Sequence, residues 1–134
     1  MAQETATSLE QQVHRIFELV DAMDTDGMAA MIADDGQGVD EISRGWMRGR
    51  EALEEYFGQL ENMVDGVSSR VRDVHVADWG DTGVVTCVVD QTYTMGGEEQ
   101  QITAPTSITL RRQAGDDWKI AVFHSVPLPD EPAE

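Results

Sequence analysis

Cysteine is almost missing from this sequence: Cys87 stands alone, so no disulfide can close within the chain. With three scattered histidines, the ligand spacing of a zinc-type site is missing too. Set in an apolar run, the lone thiol reads as a small buried hydrophobe. Positive charge is scarce. Nine Lys and Arg side chains, with Lys119 the only lysine, stand against 26 Asp and Glu, for a formal charge of -17. Such a surface repels phosphate backbones and anionic headgroups, which argues against nucleic-acid and membrane partners. The charge fits a solvated acidic surface, with an acidic docking face as the alternative. No apolar run approaches the roughly 20 residues of a membrane span. The opening MAQETATSLEQQVHR has neither the basic nor the apolar stretch of a secretory signal, so the expected location is cytoplasmic. Phosphate-binding glycine loops, nucleophile elbows and metal motifs do not occur, and no cofactor is expected.

What remains is a chain of 134 residues, 40% hydrophobic and 26% charged, the size and composition of one globular domain. The expected domain covers residues 1–127, with residues 128–134, rich in proline and acid, as a disordered tail. Thr7 and Glu10 fit a capping box, and Leu9, Val13, Ile16, Val20 and Met23 recur at helical spacing. Asp24-Thr25-Asp26-Gly27 then breaks the helix, and Met28, Met31 and Ile32 predict a second, short helix ending near Asp34 and Asp35. Residues 36–42 read as a short strand and 44–49 as a loop. From Arg50, Leu53, Tyr56, Phe57, Leu60 and Met63 repeat at three and four, which predicts a third helix stopped by Asp65-Gly66.

After Gly66 the period changes to two. Strands are expected over residues 67–79, 84–95, 101–112 and 118–126, joined by short glycine-bearing turns, the last over Gln113 to Asp117, that imply antiparallel neighbours. Helices followed by strands describe an α+β domain: three N-terminal helices packed on a strongly curved, mainly antiparallel sheet that leaves a cone-shaped cavity. In the last strand Trp118, Ile120, Val122, His124 and Val126 alternate with Lys119, Ala121, Phe123 and Ser125, and neither face is fully polar. A sheet covered by helices on one side and by a second copy of the chain on the other fits this pattern, so a homodimer through the outer sheet face is expected.

Two stretches, TDGMAAMIADDGQGVDEI at residues 25–42 and RRQAGDDWKIAVFHSVP at residues 111–127, resemble the second helix and first strand, and the closing hairpin, of the nuclear-transport-factor-2-like (NTF2-like) superfamily, and within it the SnoaL-like proteins. The resemblance spans residues 9–127 and implies the cystatin-like cone fold. It does not single out an activity, because the superfamily holds polyketide cyclases, ketosteroid isomerases, epoxide hydrolases, dehydratases and noncatalytic binding or assembly domains. Against the acidic turn of the isomerases, Asp40 falls on the general base, a role that needs a carboxylate facing an apolar cavity; the alternative is a solvated loop acid. The isomerases' oxyanion donors, a helix tyrosine and a sheet aspartate, have no counterpart: Ile16 or Phe17 and Ser107 stand there.

His124 is the second candidate. Sharing a strand face with Trp118, Ile120 and Val122, it is expected to point into the cavity as acid, base or anchor, or else to be a partly buried structural histidine. Asp90 interrupts an apolar strand as a third candidate, facing either the pocket or the dimer surface. Trp46 is expected to roof the mouth, with Tyr56, Phe17, Phe57 and Val122 as apolar walls and Ser107 as a polar contact. The resulting reading is a small-molecule-binding SnoaL-like protein. As an enzyme it would be a cofactor-independent cyclase, isomerase or dehydratase moving protons on an apolar carbonyl-containing substrate; the alternative is a noncatalytic ligand-binding or dimerisation module.

Overall fold

A computed structural model of the chain describes residues 2–113 and 117–128, with side chains from residue 8 onward. Helix α1 (Ala2–Ala22) starts upstream of the expected capping box, so Thr7 lies within the helix backbone and its side chain lies outside the described residues. Its apolar stripe is nevertheless the expected one: Leu9, Val13 and Ile16 are buried and Val20 is half-buried. Asp24 caps α2 (Thr25–Ala30), its carboxylate accepting the Gly27 N–H at 3.0 Å. This helix ends before Asp34. Ile32 instead opens strand β1 (Ile32–Asp40), where Ile32 and Ala33 are buried and the Ile120 N–H reaches the Met31 carbonyl at 2.8 Å. Sheet pairing outweighs the helical spacing of Met28, Met31 and Ile32.

Strand β2 (Met47–Arg48), inside the stretch read as a loop, pairs antiparallel with β1 through Gln37 and Gly38. Helix α3 (Arg50–Met63) occupies the expected residues and passes directly into β3 (Val64–Asp78), without waiting for Gly66. Strands β4 (Thr82–Met95), β5 (Glu98–Arg112) and β6 (Trp118–Ser125) complete a six-stranded sheet in the order β2-β1-β6-β5-β4-β3. Among the described residues only the β1–β6 pairing is parallel. Residues 114–116 of the expected final turn, and all of the expected tail beyond Leu128, lie outside the described residues.

Breaks in register bend the sheet. One lies between Arg72 and His75, where Asp73 takes a left-handed φ of 54°, and another sets Leu110 opposite Ile120 but Thr109 opposite Val122, leaving Ala121 unpaired in β6. The concave side carries the core: Val85, Cys87 and Val89 from β4, Ile108 and Leu110 from β5, and Trp118 and Ile120 from β6 meet Leu9, Val13, Ile16 and Phe17 of α1. Each such aliphatic side chain, fully buried, contributes about 1.5–3 kcal/mol. Helix α1 approaches β4 closely at Gly83, where a Cβ would lie 2.5 Å from Leu9 Cδ1 and force that buried side chain to shift.

Candidate functional site

The helices cover one end of the concave face only partly, and a cavity of about 110 Å³ remains between α1, α3 and the sheet. Its walls are mostly apolar: Phe17 and Val20 come from α1, Leu53 and Phe57 from α3, and Ile120 and Phe123 from β6. The rings of Phe17 and Phe123 lie 6.1 Å apart and tilted. Polar atoms gather at the end where β1 turns away, and the key one is the Asp40 carboxylate.

Asp40 is the last residue of β1, half-buried and on the cavity wall. Its Oδ1 accepts the backbone N–H groups of Ile42 at 2.9 Å and Ser43 at 2.8 Å, while its own N–H donates to Ser43 Oγ at 3.0 Å. This tight turn suits an aspartate, whose short side chain reaches the amides two and three residues on. Tyr56, one helical turn beyond Leu53 on the buried face of α3, donates its phenol hydrogen to the same carboxylate, 2.8 Å from each oxygen. Beside this pair, Tyr93 of β4 donates to Glu41 Oε1. Both phenols are harder to ionise than a free tyrosine. For Tyr56 the causes are burial and then the Asp40 charge; for Tyr93 they are burial and then the hydrogen bond to Glu41.

Of the residues singled out from the sequence, Asp40, Tyr56, Phe17 and Phe57 meet at this cavity. His124 does not. The unpaired Ala121 shifts the strand's alternation by one, so Trp118 and Ile120 face the core but Phe123 and Ser125 take the inward positions after it. His124 and Val122 therefore turn to the outer face, and His124 is exposed. Trp46 lies beside it, ring centres 6.2 Å apart, with the Arg48 guanidinium 5.8 Å over the indole; at 45% exposed it does not roof the cavity. Ser107 pairs with His124 on the same outer face, and the inward hydroxyl of β5 is that of Thr106, 2.9 Å from Ser125 Oγ.

Asp90 also faces outward. It binds Arg72 at 2.7 Å and accepts the Thr103 hydroxyl at 2.9 Å, and these two hydrogen bonds hold its carboxyl below the usual carboxylate range. Tyr93, Glu41 and Gln91 were not foreseen. Tyr93 and Gln91 share the two-residue phase of Val85, Cys87 and Val89, so strand parity alone could have found them; nothing in the sequence marks Glu41. Among the described residues no group of three His, Cys, Asp or Glu side chains is placed to hold a metal ion.

Residues 9–129 match the SnoaL-like domain family. No curated protein matches the sequence. Among solved structures, an NTF2-like protein with a cystatin-like fold from Novosphingobium aromaticivorans is 18% identical over 97% of this chain and 86% of its own, with a TM-score of 0.78. A ketosteroid isomerase-like protein from Erwinia carotovora atroseptica is 18% identical over 95% of this chain and 98% of its own, at 0.82. The CaMKII hub of S. rosetta is 17% identical over 92% of this chain and 96% of its own, at 0.79. At such identities the likeness is one of fold. With six strands curved around three helices and a family match over nearly its whole length, the chain belongs to the SnoaL-like domain family and has the cystatin-like fold.

Proposed function

We propose that this SnoaL-like protein binds a small, largely apolar organic molecule in the cavity and, as an enzyme, moves a proton at a carbon beside a carbonyl, without a cofactor and with Asp40 as the base. The observation that carries the reading is the Asp40 carboxylate on an apolar wall, held in place by Tyr56 and two backbone amides. A lone pair of Oδ2 would take the C–H proton, and the C–H electrons would pass to the carbonyl oxygen. Return of the proton at another carbon is isomerisation; departure of a neighbouring hydroxyl as water, with the proton from Asp40, is dehydration; and attack of the carbanion on a second carbonyl, whose oxygen takes that proton, is cyclisation. Once Asp40 carries the proton its charge is gone, and the Tyr56 hydrogen is released toward the new oxyanion.

One observation favours a second reading, a noncatalytic binding module: both phenol hydrogens are directed at carboxylates, so neither phenol stands ready for an oxyanion. Deuterium uptake from D2O into the carbon beside the carbonyl of small cyclic ketones separates the two. Exchange that falls at least about 100-fold in Asp40→Asn while ketone binding persists supports the enzyme. Binding without exchange in either form supports the module.

The homodimer belongs to the same proposal. Val84, Val88, Pro105 and Val122 lie on the outer face of the sheet, away from the helices. The hub domain among the structural neighbours is consistent with assembly by this fold. Light scattering of the eluted protein is expected to give twice the chain mass, and Val88→Arg to return the mass of one chain.

A further inference from the structure

The polar end of the cavity is rich in hydrogen-bond acceptors. Asp40 and Glu41 each take the phenol hydrogen of a tyrosine, so Tyr56 and Tyr93 reach the cavity with their protons already used. On Asp40, Oδ1 also receives two backbone N–H groups, while Oδ2 receives only the phenol and keeps a lone pair open. Glu41 bonds through Oε1, which leaves Oε2 open. Gln91 donates one of its two amide hydrogens to Ser69 Oγ at 2.9 Å and keeps its carbonyl oxygen as an acceptor. Asp40, Glu41, Tyr56 and Tyr93 all line this cavity, and burial first, then the two carboxylates, keeps each phenol un-ionised.

No Arg, Lys or His side chain lines the cavity among the described residues. A ligand carboxylate or phosphate would thus meet two carboxylates with no countercharge. A neutral hydroxyl offers one donor to several waiting oxygens. An ammonium group offers three, with the opposite charge. The volume sets the body to which it is attached: about 110 Å³ is near the roughly 150 Å³ of an engineered apolar cavity that takes up benzene.

On the reading of this cavity as the ligand site, we propose that it selects a one-ring apolar molecule carrying a single protonated amine. The ammonium group sits against the open oxygen of Glu41 and the carbonyl oxygen of Gln91, in the field of Asp40, whose open Oδ2 lone pair is left to the substrate C–H, and the ring lies against Phe17, Leu53 and Phe123. The same positive charge offsets the negative charge that proton removal creates, beside the Tyr56 hydrogen that protonation of Asp40 releases.

Benzylamine, benzyl alcohol and benzoate share a ring and differ in charge, so titrating each into protein labelled at its methionine methyl carbons tests this. Met23, Met28 and Met47 line the cavity, and Met63 is exposed on the surface. Benzylamine is expected to shift the three cavity methyls and to bind about tenfold or more tighter than benzyl alcohol, with no binding of benzoate. The preference should collapse in the Asp40→Asn, Glu41→Gln double variant, and Glu41→Gln alone, which leaves the Asp40 turn intact, should lower it several-fold. Benzyl alcohol bound in the cavity as tightly as the amine overturns the amine inference and leaves the ligand site standing. Silence of the cavity methyls toward all three probes overturns both. Shifts confined to Met63 mean attraction to the acidic surface and overturn the inference.

Discussion

The phenol oxygen of Tyr56 lies 2.8 Å from both carboxylate oxygens of Asp40, so one hydrogen bond donor on α3 pins the end of β1. Closing the cavity and orienting its carboxylate are consequently one event in the fold. Tyr56→Phe is expected to cost about 1.5–3 kcal/mol, the range for a hydrogen bond to a charged group. Urea denaturation checks the value, and an unchanged midpoint would show that the pair does not hold the two elements together.

Alkaline pH offers an independent view of the same cluster. Both tyrosines of the chain are raised above the ordinary value of 10.0, so the folded protein keeps phenol protons that the unfolded chain gives up. This contribution to stability is complete below pH 10 and is lost as pH climbs toward the folded values. Absorbance near 295 nm should show no tyrosinate in the native protein at pH 11 and two equivalents on unfolding; native tyrosinate at that pH would contradict the buried pairs.

Residues of the outer face should be silent in ligand binding. His124→Ala and Asp90→Asn are expected to leave the affinity of any cavity ligand within about twofold, because both side chains lie beyond the sheet from it. A tenfold loss in His124→Ala would place the imidazole in the cavity after all.

Burial pushes the Cys87 thiol up to about 11, and its neighbours are apolar core residues. Thiolate is the reactive form, so a thiol reagent at pH 8 should label the native protein orders of magnitude more slowly than the unfolded chain. Equal rates would mean that β4 opens readily.

Packing of α1 on β4 is tight enough to test with one methyl group. Gly83→Ala puts a Cβ within 2.5 Å of a Leu9 side chain that has no solvent exposure, and a cost of about 1–3 kcal/mol is expected. Shortening the neighbour in a Gly83→Ala, Leu9→Ala double variant should recover part of that cost relative to the sum of the single changes. Strict additivity would show that the two positions do not touch.

Helix α3 and the four long strands were legible because their apolar spacing is sustained over many residues, and Asp40 was legible through the resemblance carried by residues 25–42. His124 was misplaced for a definite reason. Alternation in the sequence runs unbroken from Trp118, but Ala121 has no partner in β5, and one unpaired residue reverses every side chain beyond it. Whether such a bulge forms depends on how β6 fits between β1 and β5, two neighbours far apart in the chain.

Composition and periodicity therefore determined the class of the fold, the buried stripe of α1, the strand-rich second half and the acidic surface, since each depends on a residue and its neighbours along the chain. Pairing Asp40 with Tyr56 and Glu41 with Tyr93, turning His124 outward and leaving an acceptor-lined cavity were decided in three dimensions. Those features depend on register, on sheet curvature and on contacts between residues 16 and 52 positions apart, none of which a local pattern encodes.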